Sequence, residues 1–432
     1  MAIIGNPTPG NDTISGDALG NFIDALAGND SVNGNGGNDT LIGGLGNDTL
    51  LGAVGDDILS GGGDNDLLVG DISGGNGNDS LNGGAGSDTL NGGLGLDTLV
   101  GGDGGDLYVA GVFNTSIVEQ ANQGNDIVNS AISFTLPANV ERLTLTGTGN
   151  TFGIGNDLGN LMLGNVGNNT LSGLAGNDTL NGLDGNDTLR GGLGDDTIFG
   201  GNGIDRIVVN ASVGNSIVLT DTSVTGEGTD SINGIENAEL FVFSNNLDPV
   251  NINASGFTKG SVTLDGNRNS NNLLGSSSSD FLDGEGAVDT LIGGGGNDTL
   301  NGGEGDGTDV LTGSSGADRF LFDMNRPLES GDDFDRITDF SPGTDKIVLD
   351  KTTFTALASP AGGSLLPSDF EVVDSVFDIQ FSNAKIVYHQ GTLVYNQNGS
   401  LPGLLAVGST GGVIADIVGA PNLTTTDFLV VA

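Results

Sequence analysis

Aspartate or asparagine returns at nine-residue intervals through long stretches of this chain, and that period limits the fold more than any other feature. With GGLGNDTLL (43–51) as the template, the sixth place is filled by Asp12, Asn21, Asp30, Asp39, Asp48, Asp57 and Asp66. Four extra residues near Gly70–Ser73 interrupt the count, which resumes at Asp79, Asp88, Asp97 and Asp106. A second array holds Asn160, Asn169, Asp178, Asp187, Asp196 and Asp205. A third holds Asn271, Asp280, Asp289 and Asp298, then Asp309 after an eleven-residue step and Asp318 after nine more. A repeat of this kind predicts stacked identical units rather than a globular core.

Each unit divides into a glycine-rich half and a short half of the DTL type. Glycine admits positive φ and close backbone approach, so the first half reads as a tight turn. Thr, Leu, Ile and Val favour an extended segment whose eighth-place apolar residue faces inward. One such strand cannot bury its apolar side alone, but stacked copies can. Two units per coil place residues 18 apart over one another at a strand spacing of roughly 4.8 Å. Asp30, Asp48 and Asp66 then form one column, with Asp39 and Asp57 in the opposite one.

Such columns raise an electrostatic problem. The chain carries 56 Asp+Glu against 11 Lys+Arg, a net charge of −45, and its first positive side chain is Arg142. Glutamate stands at only nine positions, so a short carboxylate is being set at defined backbone places. Two bare carboxylates about 5 Å apart repel by about 3 kcal/mol at an effective dielectric of 20. Several stacked pairs would exceed the roughly 5–15 kcal/mol that holds a domain together. A divalent cation between turns reverses the sign. Calcium takes six to eight oxygens in flexible geometry and accepts backbone carbonyls, whereas magnesium prefers a tighter octahedron and keeps its waters. With no cysteine and one histidine, zinc and copper lack ligands. Multiple Ca²⁺ ions are the expected cofactor.

The same charge argues against nucleic acid, which is bound through Lys and Arg, and against an anionic membrane surface. Strict periodicity argues against a disordered acidic tail. The opening MAIIGNPTPGND lacks the basic n-region and apolar core of a secretory signal peptide, and no apolar run approaches a membrane span.

These units resemble the repeats-in-toxin (RTX) family, whose pattern is G-G-x-G-x-D-x-(apolar)-x. Residues 43–51, 83–91, 92–100 and 191–199 match it in full, and GGDGGDLYV (101–109) nearly so. The resemblance implies an all-β right-handed parallel β-roll, or β-helix solenoid, with calcium between its turns. Carried over by position, the metal ligands are Asp12, Asp30, Asp39, Asp48, Asp57, Asp66, Asp79, Asp88, Asp97, Asp106, Asp178, Asp187, Asp196, Asp205, Asp280, Asp289, Asp298, Asp309 and Asp318. Glycine-turn carbonyls such as those of Gly44 and Gly46 join them. Asn21, Asn160, Asn169 and Asn271 lack the charge and mark weak or empty sites.

Between the arrays, SAISFTLPANVERLTLTGTGN (130–150) and GTDSINGIENAELFVFSNN (228–246) alternate like strands and show no aspartate ladder, so they read as solenoid coils packed without metal, the alternative being two globular linkers. Beyond Asp318, DFDRITDFSPGTDKIVLD (333–350), AKIVYHQGTLVYNQNG (384–399) and DFLVVA (427–432) resemble the closing segment of serralysin-type secreted proteins. In that family the C-terminus is the address for type I export. The expected divisions are array I (1–109), a metal-poor connector (110–154), array II (155–210), a second connector (211–265), array III (266–322) and a C-terminal β cap with export region (323–432).

No catalytic constellation appears. One histidine cannot make H-E-x-x-H, there is no G-x-S-x-G elbow or P-loop, and the carboxylates follow a metal-bearing period rather than a glycosidase pair. His389, in IVYHQG, reads as a strand residue. DGGD and DGTD lack the twelve-residue EF-hand loop. An ice-binding face would need a regular row, yet the third place runs Gly36, Leu45, Val54, Gly63, Asn76, Ala85. The expectation is a non-enzymatic, secreted calcium-binding structural or surface protein. It folds on export into calcium, and without a polar cap on its first coil it self-associates in a matrix, surface layer or filament. The alternative is a stand-alone carrier, or a calcium-buffering partner of a secreted effector. Its partners are calcium ions, the type I export machinery and further copies of itself.

Overall fold

The computed structural model describes residues 2–3, 7–72, 74–111, 115–211, 216–242, 249–303, 307–324, 334–379, 381–397 and 412–432. Among these residues the backbone is built of short strands, with one four-residue helix, Val376–Ile379, and one 3₁₀ turn, Thr425–Asp427. No helix among these residues is long and apolar enough to cross a membrane. The chain forms two compact units, Met1–Arg206 with Asp230–Gly234, and Ile207–Thr229 with Ile235–Ala432.

In the first unit each nonapeptide contributes one strand, and strands one coil apart pair in parallel. One flank stacks Asn21–Asp24, Thr40–Leu45, Ile58–Gly63, Ser80–Ala85, Thr98–Asp103 and Ser116–Val118. The register aligns the eighth-place residues, Leu41 with Leu59, Leu59 with Leu81, and Leu99 with Ile117. The opposite flank aligns Val32, Leu50, Leu68, Leu90, Tyr108, Val128, Leu143, Met162, Leu180, Ile198 and Ile232. All of these are buried. Burying one such side chain is worth about 1.5–3 kcal/mol, but only when a neighbouring coil covers it. The parallel β-solenoid expected from the period is therefore the architecture observed.

Local sequence dictates the narrowness of this core. In Thr40–Leu45 the inward positions are Leu41 and Gly43, so this strand buries one apolar side chain and one glycine. The four-residue insertion near Gly70 is absorbed without loss of register, because Leu59 pairs with Leu81 and Leu68 with Leu90. The first connector keeps the pairing through Ile127–Ser130 and Arg142–Leu145.

The second unit repeats the plan. One flank aligns Leu240, Leu264, Leu282, Leu300, Phe320, Ile347 and Phe428. The other aligns Ile252, Leu273, Leu291, Leu311, Ile337 and Ile417. The C-terminal strands Gly412–Ile417 and Phe428–Val431 thus join the two flanks as closing rungs. An antiparallel hairpin, Ile386–His389 with Thr392–Tyr395, packs there too. Phe354 meets Tyr395 edge-on at 5.1 Å. His389 is a buried strand residue whose Nδ1 lies 2.9 Å from the Val373 carbonyl oxygen. Of the segments likened to a secreted protein's tail, residues 333 and 398–399 fall outside the described residues, as do 243–246 of the second connector.

Candidate metal centre

The sixth-place aspartates form continuous hydrogen-bonded ladders. The backbone N–H of Asp12 donates to Oδ1 of Asp30, Asp30 to Asp48, Asp48 to Asp66, Asp66 to Asp88 and Asp88 to Asp106, each at 2.7 Å. The opposite column runs from Asn21 to Asp39, Asp57, Asp79 and Asp97 at 2.6–3.0 Å. In array II, Asn160 leads to Asp178 and Asp196, and Asn169 to Asp187 and Asp205. In array III, Asn271 leads to Asp289 and Asp309, and Asp280 to Asp298 and Asp318.

Each interior carboxylate therefore has one oxygen fixed by the backbone. The other is buried without a partner in Asp30, Asp39, Asp48, Asp57, Asp66, Asp79, Asp88, Asp97, Asp106, Asp178, Asp187, Asp289 and Asp298. Leaving so many buried acceptors unmet is costly for bare protein. Gly43 explains the first place of the repeat. A Cβ there would run into the Asp48 carboxylate and stand 2.7 Å from the Gly61 carbonyl oxygen.

Backbone conformation at the second place tracks which carboxylates are left free, except at Asp79, where Gly75 N–H donates to the Ile72 carbonyl oxygen instead. The second-place residue has positive φ before Asp48 (Gly44, 113°), Asp66 (Gly62, 117°) and Asp106 (Gly102, 103°). Leucine adopts the same strained sense at Leu26 (78°), Leu174 (80°) and Leu183 (78°), before Asp30, Asp178 and Asp187. Strain of this kind, of order 1–2 kcal/mol per residue, persists where surrounding structure imposes it. At the four asparagines the second place is not in this conformation, and its N–H turns inward and donates to the sixth-place side chain. Asp17 does so to Asn21, Asn156 to Asn160, Asn165 to Asn169 and Asn267 to Asn271, at 2.6–2.8 Å. The four asparagines are thus neutral first rungs with their own partners.

Asp12 and Asp280, expected to be ligands, share that arrangement. Thr8 N–H donates to Asp12 Oδ2 at 2.6 Å. Ser276 N–H donates to Asp280 Oδ2 at 2.6 Å, and Oδ1 receives Val262 N–H and the Ser276 hydroxyl. Both oxygens of Asp280 are engaged by the chain itself.

The electrostatics follow from burial. Desolvation pushes Asp66 up to about 7, opposed by the ladder hydrogen bond from Asp48 and reinforced by the Asp88 and Asp48 carboxylates. It likewise lifts Asp57 to about 6, Asp79 and Asp178 to about 7, and Asp289 to about 8. A hard cation would relieve both the burial and the repulsion.

The glycine turns also present carbonyls to the next coil. The Gly44 oxygen faces Gly62 closely enough to exclude a Cβ there, and the Gly28 oxygen faces Gly46 in the same way. A second ladder, of fifth-place asparagines, runs in the opposite sense outside the first. Asn47 N–H donates to Asn29 Oδ1 at 3.1 Å and Asn65 N–H to Asn47 Oδ1 at 3.0 Å.

The connectors do carry rungs, contrary to the expectation that they lack an aspartate ladder. Asp106 N–H donates to Asp126 Oδ1 and Asp126 N–H to Glu141 Oε2, both at 2.8 Å. Asp196 N–H donates to Asp230 at 3.1 Å, and beyond the third array, in the C-terminal region, Asp318 N–H donates to Asp345 at 3.0 Å. Irregular coil lengths break the nine-residue count, so the period does not reach these residues. The signal that could have found them is an aspartate two places before an inward apolar residue, in NDIV (125–128), TDSI (229–232) and TDKI (344–347).

Comparison with known proteins agrees with this geometry. The family model described as the RTX calcium-binding nonapeptide repeat (4 copies) matches residues 8–108, 154–207 and 265–321 in overlapping segments. No curated protein matches the chain. Among solved structures, the extracellular lipase LipA from Serratia marcescens is 18% identical, with a TM-score of 0.18. The match covers 72% of this chain and 45% of that one, a likeness too slight to carry activity or shape across. The three nonapeptide arrays coincide with the three matched regions, and the chain is a β-solenoid protein of the RTX calcium-binding nonapeptide repeat family.

Proposed function

We propose that this is a secreted calcium-binding structural or surface protein whose aspartate columns hold calcium, and whose fold is completed only in calcium. The observation that carries the reading is the row of buried carboxylate oxygens without partners, from Asp30 to Asp106 and again at Asp178, Asp187, Asp289 and Asp298. Asp196, Asp205, Asp309 and Asp318 occupy the same place in the ladder. Asp12 and Asp280 are left out of the ligand set, because chain hydrogen bonds already engage them. Calcium supplies positive charge between turns, and the chain supplies fixed oxygens. Binding free energy is then folding free energy.

Low calcium inside a cell would keep mutually repelling columns apart and the chain threadable, and high calcium outside would fold it. The likeness of residues 333–350 and 427–432 to secreted proteins' closing segments supports type I export. Self-association belongs to the same reading, since a strand edge with unpaired N–H and C=O groups is a template for another chain. The direct test is far-ultraviolet circular dichroism during titration with calcium and, separately, magnesium. Cooperative gain of β signal with calcium alone is expected. A spectrum already β-rich in chelator and unmoved by calcium would sink the reading. Sedimentation with and without calcium tests association, and a monomer at high concentration in calcium would remove that part.

A further inference from the structure

Array I ends in a way no interior coil does. Inside the array, Asp39, Asp48, Asp57, Asp66 and Asp88 each lie beside the first-place glycine of their own unit and the carbonyl of the glycine one coil on. Asp88, for instance, sits by Gly83 and the Gly101 oxygen. For Asp106 the first-place glycine is Gly101. The residue one coil on is Glu119, directly after the strand Ser116–Val118 that pairs with Thr98–Val100. A carboxylate therefore stands where interior coils offer a carbonyl.

Two further side chains converge there. Tyr108 holds the eighth place, occupied by leucine from Leu41 to Leu99, and its hydroxyl donates to Glu119 Oε1. Asp126 enters from the next coil as the ladder partner of Asp106. Asn122, at the second place before Asp126, has φ 67°, the same backbone sense as before the interior carboxylates. Asp106, Glu119 and Asp126 each bring a carboxylate oxygen within 4.8 Å of the others. Their exposures are 1%, 8% and 1%. Asp106 Oδ2 and Glu119 Oε2 are buried with no hydrogen-bond partner. Two oxygens that each lie about 2.4 Å from one calcium ion are at most about 4.8 Å apart, so the cluster has the span of a single ion's coordination shell.

We propose that Asp106, Glu119 and Asp126 form a divalent-cation site of the calcium class that closes the first array, with Tyr108 as the positioning residue for Glu119. It differs from the repeat turns in its ligands. Three carboxylates from three segments converge, and two of the three lie outside the matched nonapeptides. Carboxylate count raises calcium affinity, so this site fills before the turns of the array. Filling it pins the non-repeat segment 115–126 onto the last regular coil.

Terbium is the probe, because it takes calcium's oxygen ligands and emits when an excited tyrosine lies beside it. The chain has three tyrosines and no tryptophan, and the eighth-place neighbours of the array I carboxylates before Tyr108 are aliphatic. Full-length protein is expected to show tyrosine-sensitised terbium emission that calcium displaces. Tyr108→Phe should abolish that emission. Glu119→Gln, which keeps the tyrosine, should raise the terbium midpoint at least about tenfold.

Silence in the wild-type chain, emission that survives Tyr108→Phe, or an unshifted Glu119→Gln titration would each overturn the site. The proposal rests on the calcium reading only for its choice of ion, and circular dichroism on the same samples separates the two. A normal calcium response with silent terbium removes this site and leaves the arrays. Emission with no calcium-induced folding removes the reading of the arrays and leaves the site.

Discussion

The backbone N–H of Asp30 donates to Oδ1 of Asp48 at 2.7 Å, one coil ahead, while Asp48 Oδ2 is buried with no partner. One oxygen of the same carboxylate thus belongs to the fold, and the other is left unengaged by the chain. That division of labour has consequences that can be measured.

Acid should stabilise the calcium-free protein. Burial raises the folded-state values of Asp57 to about 6, Asp66 to about 7 and Asp289 to about 8, above the ordinary 3.8. The folded form therefore binds more protons than the unfolded form between those limits. The contribution is fully present below about pH 4 and is lost as pH rises through about 6 to 8. In chelator, β circular dichroism should grow as pH falls from 8 to 5. In calcium the trend should reverse, because protons then compete with the ion. Identical profiles in the two conditions would contradict this.

Gly43→Ala should destabilise the calcium-loaded protein by about 1–3 kcal/mol, as overpacking does, because its Cβ meets the Asp48 carboxylate. Gly63→Ala is the control. Its Cβ would lie 3.6 Å from Leu45 Cδ2, so a change within about 0.5 kcal/mol is expected. Chemical unfolding in saturating calcium measures both.

Two substitutions of the same chemistry should part company. Asp48→Asn removes charge from a free oxygen and should lower the number of calcium ions bound in equilibrium dialysis. Asp280→Asn changes a side chain whose oxygens receive Ser276 and Val262 and should leave that number unchanged. Equal losses would show that the second-place backbone does not select the binding carboxylates.

Asn47→Ala should cost about 0.5–1.5 kcal/mol, the worth of one net hydrogen bond, through loss of the Asn65 N–H contact. Because Asn47 lies on the outer ladder, calcium stoichiometry should be unaffected. A change in ions bound would place asparagine among the ligands.

What the sequence by itself determined is whatever repeats. The nine-residue period sets the coil, the eighth-place Leu41, Leu50 and Leu59 set the core, and the sixth-place aspartates set the column, since each depends only on spacing and residue type. The tertiary structure alone decided which carboxylates are free. Asp30 and Asp280 look alike in sequence, yet Leu26 adopts positive φ and withholds its N–H, whereas Ser276 donates to Asp280. It also decided where the ladder ends, bringing Glu119 and Asp126 to Asp106 from segments that break the count. A backbone torsion imposed by the neighbouring coil, and contacts across irregular insertions, depend on stacking rather than on any local run of residues.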